Sequence, residues 1–294
     1  MTLPPLRRLY ELPPKEVVRK SLLRLRGREK GVADLGDILA STKHIRPQRL
    51  YDMLSRYEAI IRRHYPWPSL EFDDRSVLEI GAGPLLGFAP LAVFLDCARY
   101  LCIEPGYNPQ IFESQEIAER YFLPLHKDLS ALFGERLRFD EYLNCLRDRV
   151  RVEPVDFLDA PIEGSFDIAI SNSCLEHIFP LDESIQRLTS ILRPEARFIH
   201  LIDFGSHRVG RSPFNGMYSC DPKTYFAKFG KKINLLRGPD VLQIFRDAGL
   251  DAALVPYYRF DEFYEEDIAP YWSERYSKEE LFLKAAIIAG PVHV

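Results

Sequence analysis

The sequence lacks any long apolar run. None of its hydrophobic stretches approaches the roughly 20 residues that a membrane-spanning helix needs. The N-terminal region also has no apolar core of about 7–15 residues followed by a cleavage site, the arrangement typical of a secretory signal. A membrane-spanning or secreted protein is therefore not expected, and a cytoplasmic location is predicted.

The sequence is also poor in cysteine and has no excess of positive charge. Its five cysteines are odd in number and do not fall at disulfide or zinc-ligand spacings, which favours reduced thiols. The formal net charge of -4 gives no basic field, so nucleic acid is not expected as a partner. No oligomeric state is predicted.

Positive charge is nevertheless concentrated in residues 1–30, which contain nine Lys or Arg and three Glu. Val18, Leu22 and Leu25 would share one face of a helix there, with basic residues away from it. Two interpretations remain open. The helix packs its apolar stripe on the protein, or it makes peripheral contact with anionic lipid at the inner membrane surface.

From residue 75 onwards, short β-rich runs alternate with helical patterns, which predicts an α/β fold with a mostly parallel sheet. Strands are expected at 76–80, 100–104, 150–155, 166–171, 197–203, 252–258 and 281–289. Residues 1–70 are interpreted as an N-terminal helical extension or lid, with a helix over 48–64. Residues 71–294 would form the main domain, with a helical insertion at 105–149 and a loop at 205–238 on the acceptor side.

A glycine-rich turn follows the first strand. Gly81 and Gly83 would let the backbone turn sharply and approach a ligand closely, as in nucleotide-binding α/β proteins. The third glycine of a dinucleotide fingerprint is absent, because Leu86 stands at its position. A dehydrogenase is therefore disfavoured.

Acidic residues follow the next two strands. Glu104 lies about twenty residues beyond the turn, where a carboxylate can accept both ribose hydroxyls. Asp156 follows the third strand, where it could bind an adenine amino group while Phe157 lies against the ring. Together with the turn, these residues predict a nucleoside site.

The fourth strand leads into Leu175-Glu176-His177-Ile178, and Leu192-Arg193-Pro194 precedes the fifth. Taken with the turn and the two acids, these segments resemble the class I, Rossmann-like superfamily of S-adenosylmethionine-dependent methyltransferases over residues 75–204. The resemblance implies a seven-stranded sheet of order 3-2-1-4-5-7-6 with the last strand antiparallel. It also implies S-adenosylmethionine as cofactor.

The resemblance assigns roles to individual residues. Glu79, Gly81, Ala82 and Gly83 would hold the methionine end of the cofactor, Glu104 the ribose, Asp156 and Phe157 the adenine, and Asn172 the amino end beside the methyl group. The sequence departs from the pattern at Leu85, where a third glycine is usual, and at Pro194-Glu195-Ala196, where Pro-Gly-Gly is common.

Three residues are candidates for catalysis because they lie at the carboxyl ends of strands four and five, where open α/β sheets bind ligands. His207 is interpreted as the general base and Asp203 as the residue that orients it, with a purely structural role of both in the loop after the fifth strand as the alternative. His177 is a further catalytic candidate, with a packing or capping role as the alternative. A divalent ion could use Asp203, His207 and another acid, but no spacing requires one, so no metal is predicted.

A looser resemblance concerns residues 200–207, 213–219 and 233–237, which are similar to methyltransferases associated with bacterial surface-glycan assembly. It implies a sugar hydroxyl, a phosphate on a sugar chain, or another small hydroxylated acceptor. An N- or C-methylated small molecule and a non-catalytic cofactor-binding or partner-binding protein remain alternatives.

Overall fold

Seven strands form one sheet in the order β3-β2-β1-β4-β5-β7-β6 in a computed structural model that describes residues 32–40, 48–64, 70–208, 212–260 and 267–292. The strands are β1 Ser76–Ile80, β2 Arg99–Ile103, β3 Val150–Glu153, β4 Phe166–Asn172, β5 Leu192–Asp203, β6 Ala253–Arg259 and β7 Leu283–Pro291. β7 is antiparallel to both of its neighbours, and the remaining pairs are parallel. This confirms the predicted fold and strand order.

The helices surround this sheet. They are α1 Leu35–Ala40, α2 Gln48–His64, α3 Ala89–Phe94, α4 Gln115–Ile117, α5 Leu123–Phe133, α6 Phe139–Arg149, α7 Leu181–Ser190, α8 Pro222–Phe229, α9 Gly238–Asp247, α10 Pro270–Ser273 and α11 Lys278–Leu281. Two 3-10 turns occur at Pro109–Phe112 and Leu175–His177, and a π-helical turn at Ala118–Phe122 joins α4 to α5. Among the described residues, no helix is long and apolar enough to cross a membrane.

Apolar layers cover both faces of the sheet because the central strands are apolar on both sides, as expected for parallel strands. Every residue of β1 is buried. Val77 packs in the layer that includes α2 and α3, whereas Leu78 packs in the layer that includes α7 and α9. A third apolar cluster lies around Phe214, Tyr218 and Trp272, outside the two main layers.

Several predicted boundaries differ from the structure. β5 begins at Leu192 rather than at residue 197, and Pro194 is accommodated where the pairing with β4 is irregular, a place where a missing N–H is tolerated. The segment 205–238, predicted to be a loop, contains α8, which begins after Asp221 as its N-cap. β2 ends at Ile103, so Glu104 lies just beyond the strand.

Arg237 holds the segment that follows β5, and this residue is only 1% exposed. Its Nη1 donates to the carbonyl of Phe204 and to the hydroxyl of Tyr218, both at 2.9 Å. Because a buried cation needs its donors satisfied, these bonds fix the start of the segment at the end of β5. The predicted basic helix within residues 1–30 lies outside the described part of the chain.

Candidate functional site

The glycine turn after β1 has the backbone conformation that its sequence predicts. Gly81 and Gly83 have φ angles of 76° and 69°, a region that side chains disfavour. A Cβ atom at Gly81 would overlap the side chain of Cys174, whereas one at Gly83 would meet no atom within 4 Å. Gly81 is thus required for packing, whereas Gly83 borders open space. Ala82, between them, is buried.

Glu104 is bound directly to this turn. Its Oε2 accepts the Gly83 N–H at 2.6 Å, and its Oε1 accepts the Gly106 N–H at 2.9 Å. A carboxylate offers about four acceptor positions. The two N–H groups therefore orient Glu104 and leave positions for two hydroxyl donors, which is the chemistry that a ribose diol requires.

Glu79 lies beneath the turn rather than on its open side. Its carboxylate is 1% exposed, and one oxygen accepts both the Phe88 N–H at 2.9 Å and the Tyr100 hydroxyl at 2.7 Å. Burial raises the pKa of Glu79 to about 8. Contact of Glu79 with the methionine end of a cofactor stays a prediction. The contacts in the structure show a group that fixes the loop leading into α3.

Gly87 is a structurally required glycine that was not predicted from the sequence. It has a φ of 50°, and a Cβ atom there would overlap the carboxylate of Glu79. The glycine missing at residue 85 therefore has a counterpart two residues later, where close approach to Glu79 requires it. The signal was present in the sequence as the glycine that ends the turn.

The two residues predicted to bind adenine follow β3. Asp156 is exposed, and Phe157 is 4% exposed within the apolar layer of α7 and α9. The guanidinium of Arg187 lies 5.6 Å from the centroid of the Phe157 ring. Asp156 is thus accessible to a ligand, whereas contact between Phe157 and an adenine ring stays a prediction.

Asn172, the last residue of β4, contacts the N-terminal helix α2. Its Oδ1 accepts the hydroxyl of Tyr57 at 3.0 Å, and its Nδ2 lies 4.0 Å from the sulfur of Met53. Tyr57 is 2% exposed and packs edge-on against Tyr257 of β6, with ring centroids 5.3 Å apart. α2 therefore covers the end of β4 and fixes the amide predicted to meet the cofactor.

Asp203 and His207 are close together after β5. Asp203 Oδ2 lies 3.7 Å from His207 Nε2, while its Oδ1 accepts the Gly205 N–H and the ammonium of Lys284. Burial opposes ionisation of Asp203, but the nearby His207 side chain and the hydrogen bond and charge of Lys284 outweigh it and lower the Asp203 pKa well below its usual range. Asp203 is therefore ionised, and its role in orienting His207 stays a prediction. Lys284, a lone charge within the apolar strand β7, was not predicted to be part of the site.

Glu176 and His177 complete a polar cluster with His207. Glu176 Oε1 lies 3.8 Å from His207 Nε2 and 4.0 Å from His177 Nε2, and the two imidazole centroids are 4.8 Å apart. Glu176 is 3% exposed, and burial raises its pKa to about 8, which nearby backbone N–H groups only partly offset. Burial also lowers the pKa of His177. Glu176 was not a candidate in the sequence analysis, although it stands beside His177.

One short segment links the glycine turn to this cluster. Asn172 ends β4, Cys174 packs against Gly81, and the 3-10 turn Leu175–His177 carries Glu176 and His177 to the side of His207. The Ser173 N–H also donates to the carbonyl of Leu201 in β5 at 2.9 Å. The turn and the cluster are therefore adjacent at the carboxyl ends of β1, β4 and β5.

No known protein family and no curated protein matches the chain. Solved structures are similar to it at low identity. An S-adenosylmethionine-dependent methyltransferase from Mesorhizobium loti is 14% identical, with 82% of this chain and 99% of that chain covered and a TM-score of 0.46. The N-methyltransferase NodS from Bradyrhizobium japonicum is 11% identical, with 84% and 99% covered and a TM-score of 0.38. An O-methyltransferase family protein from Burkholderia thailandensis is 16% identical, with 88% and 67% covered and a TM-score of 0.41. At these values the similarities support no conclusion about reaction or acceptor.

Proposed function

We propose that the protein is an S-adenosylmethionine-dependent methyltransferase that methylates a hydroxyl of a sugar, a glycan or another small molecule. This proposal rests on one observation, that residues 172–177 connect two neighbouring sites. Cys174 contacts the glycine turn with its Glu104 carboxylate, and Glu176 and His177 contact the His207 cluster. A methyl donor and its acceptor need this adjacency, because the transfer is an in-line displacement.

The glycine turn and Glu104 fit the cofactor. Gly83 borders open space, and Glu104 is held against the Gly83 and Gly106 N–H groups with acceptor positions remaining. When bound, S-adenosylmethionine supplies a methyl group on a positively charged sulfur. The protein's contribution is alignment of the acceptor oxygen with that methyl, and alignment contributes about 7–11 kcal/mol in well-oriented reactions.

The cluster beside the turn supports a hydroxyl acceptor. A hydroxyl must lose its proton as the new O–C bond forms, and a neutral histidine is the common base for such a step. Asp203 stays ionised, and its Oδ2 lies 3.7 Å from His207 Nε2, where it would orient the imidazole for this step. The likeness of residues 200–207 to glycan methyltransferases adds support for a sugar as the molecule that carries the hydroxyl.

The cofactor assignment is tested with Glu104→Ala. We expect S-adenosylmethionine and its demethylated product to bind the wild-type protein, and the variant to bind about 1.5–3 kcal/mol more weakly, as for hydrogen bonds to a charged group. Calorimetric titration measures both affinities, with the exposed Glu163→Ala as control and NAD as a competing ligand. Binding of NAD without binding of the methionine nucleosides would contradict the proposal. Cofactor binding without transfer to any acceptor would favour a non-catalytic protein.

The acceptor side is tested with His207→Ala. We expect the variant to keep its affinity for the cofactor and to lose about 10²–10⁴-fold in turnover, the usual contribution of a proton-accepting group. Single-turnover rates on a panel of sugar alcohols, with amine acceptors for comparison, measure the loss. Near-normal rates on the preferred alcohol would exclude His207 from activation of the acceptor.

A further inference from the structure

Glu176 is a carboxyl group that is buried beside two imidazoles. It is 3% exposed, and neither carboxylate oxygen has a hydrogen-bond partner among the described residues. A buried anion in this condition is costly unless a cation or several donors neutralise it. The nearest ammonium, that of Lys284, is bound to Asp203 instead.

The groups nearest to Glu176 are two imidazoles that present nitrogen atoms to it. Nε2 of His207 lies 3.8 Å from Glu176 Oε1, and Nε2 of His177 lies 4.0 Å from the same oxygen. Nδ1 of His177 lies 2.7 Å from the carbonyl of Lys232. Because a carbonyl only accepts, Nδ1 carries the proton and Nε2 presents its lone pair to the cluster. Metal-ligating histidines are oriented in this way by a carbonyl partner.

A second carboxylate, that of Asp203, also borders the cluster. Asp203 Oδ2 lies 3.7 Å from His207 Nε2.

We infer that Glu176, His177 and His207 form a binding site for a divalent transition-metal ion. Their ligand atoms all lie within 4.8 Å of one another. Metal–ligand bonds of about 2.0–2.2 Å bring ligands to about 3–3.5 Å apart, so binding requires a modest approach of the side chains. The side chains of His177 and His207 are 42% and 35% exposed, so neither is fully enclosed by the protein. Two imidazoles and one carboxylate suit zinc, manganese or iron and leave positions open.

The open positions give the site a role in the proposed function, on which this part of the inference rests. An acceptor hydroxyl bound to the ion would have a lowered pKa, as metal-bound water does. Its proton passes to solvent, the O–CH3 bond forms, the S–CH3 bond breaks, and sulfur keeps the electron pair. With the ion bound, His207 would act as a metal ligand and would not accept the proton of the hydroxyl. Metal dependence of turnover separates these two roles.

The test measures metal binding by itself. Untagged protein treated with a chelator is titrated calorimetrically with Zn²⁺ and with Mn²⁺, and elemental analysis follows gel filtration. We expect one ion per chain and at least a tenfold loss of affinity in Glu176→Gln, which removes the charge and keeps the shape. Glu183→Gln is the matched control because Glu183 is exposed at the start of α7. The absorption bands of bound Co²⁺ should also change in His177→Gln, which reports on coordination independently of Glu176.

Equal affinity in Glu176→Gln and Glu183→Gln, or no binding of either metal by a folded wild-type protein, would overturn the inference. Circular dichroism of each variant establishes that it is folded. Failure of the metal site is distinguishable from failure of the proposed function, because S-adenosylmethionine is titrated into the same metal-free protein. If the cofactor binds and neither metal does, the metal site is refuted and the methyltransferase proposal still stands.

Discussion

At the scale of single residues, Glu79 and Gly87 show how the turn is held. The Glu79 carboxylate is wholly inside the protein, where it accepts hydrogen bonds from Phe88 and Tyr100, and only a glycine at residue 87 leaves room for it. Two hydrogen bonds do not fully replace the water that the carboxylate loses, so burial dominates its titration. The conformation of the turn is thus linked to the protonation of Glu79.

This linkage predicts a pH dependence of stability. The pKa of Glu79 is about 8 in the folded protein and about 4.5 when the chain is unfolded. The stabilisation that comes from protonated Glu79 is fully present below the pKa of the unfolded state. It is lost as pH rises through the pKa of the folded state, because the unfolded chain releases this proton at a lower pH. The slope reaches at most about 1.4 kcal/mol per pH unit. Denaturant unfolding of wild type and Glu79→Gln at several pH values between 5 and 8 measures the difference.

The glutamine variant keeps an acceptor for Phe88 and Tyr100 but cannot ionise. We therefore expect the stability of wild type relative to Glu79→Gln to decrease across this window. Parallel curves for the two proteins would show that Glu79 has an ordinary pKa in the folded state.

At the scale of elements, α2 combines a structural and a functional contact. Leu54, Tyr57 and Ile61 form its buried stripe, and the hydroxyl of Tyr57 reaches Asn172 at the end of β4. The sequence predicts the bounds of this helix well, because Pro47 precedes it and two prolines follow. Its contact with Asn172 was not predictable, since residues 57 and 172 are brought together only by the tertiary fold.

The contact predicts the effect of Tyr57→Phe. Removing the hydroxyl leaves the buried ring and its packing on Tyr257, but frees the amide of Asn172 to rotate. We expect affinity for S-adenosylmethionine to fall about 2–10-fold, the equivalent of one hydrogen bond of about 0.5–1.5 kcal/mol. Calorimetric titration measures it, and Tyr257→Phe is the matched control within the same aromatic pair. A similar effect in both variants would mean that packing, rather than the bond to Asn172, orders the site.

At the scale of the whole molecule, the sheet was predictable and the polar cluster was only partly so. Local apolar runs in the sequence predict the strands, and the glycine turn and Glu104 follow strands at fixed spacings. The cluster combines Glu176 and His177 after β4, His207 after β5 and Lys284 in β7. Sequence spacing placed the two histidines and Asp203 at one edge of the sheet. The burial of Glu176 and the pairing of Lys284 with Asp203 depend on side-chain packing between distant strands, which spacing does not encode.

The position of β7 has a consequence for synthesis of the chain. β7 is the last strand in sequence order, yet it lies between β5 and β6 and pairs with both. While a ribosome is still adding residues beyond 260, the edge of β5 has no neighbour, and β6 has no strand that joins it to the sheet. Unpaired edges of this kind promote aggregation. The nascent protein therefore depends on a late step, in which β7 inserts between two strands already made and brings Lys284 to Asp203.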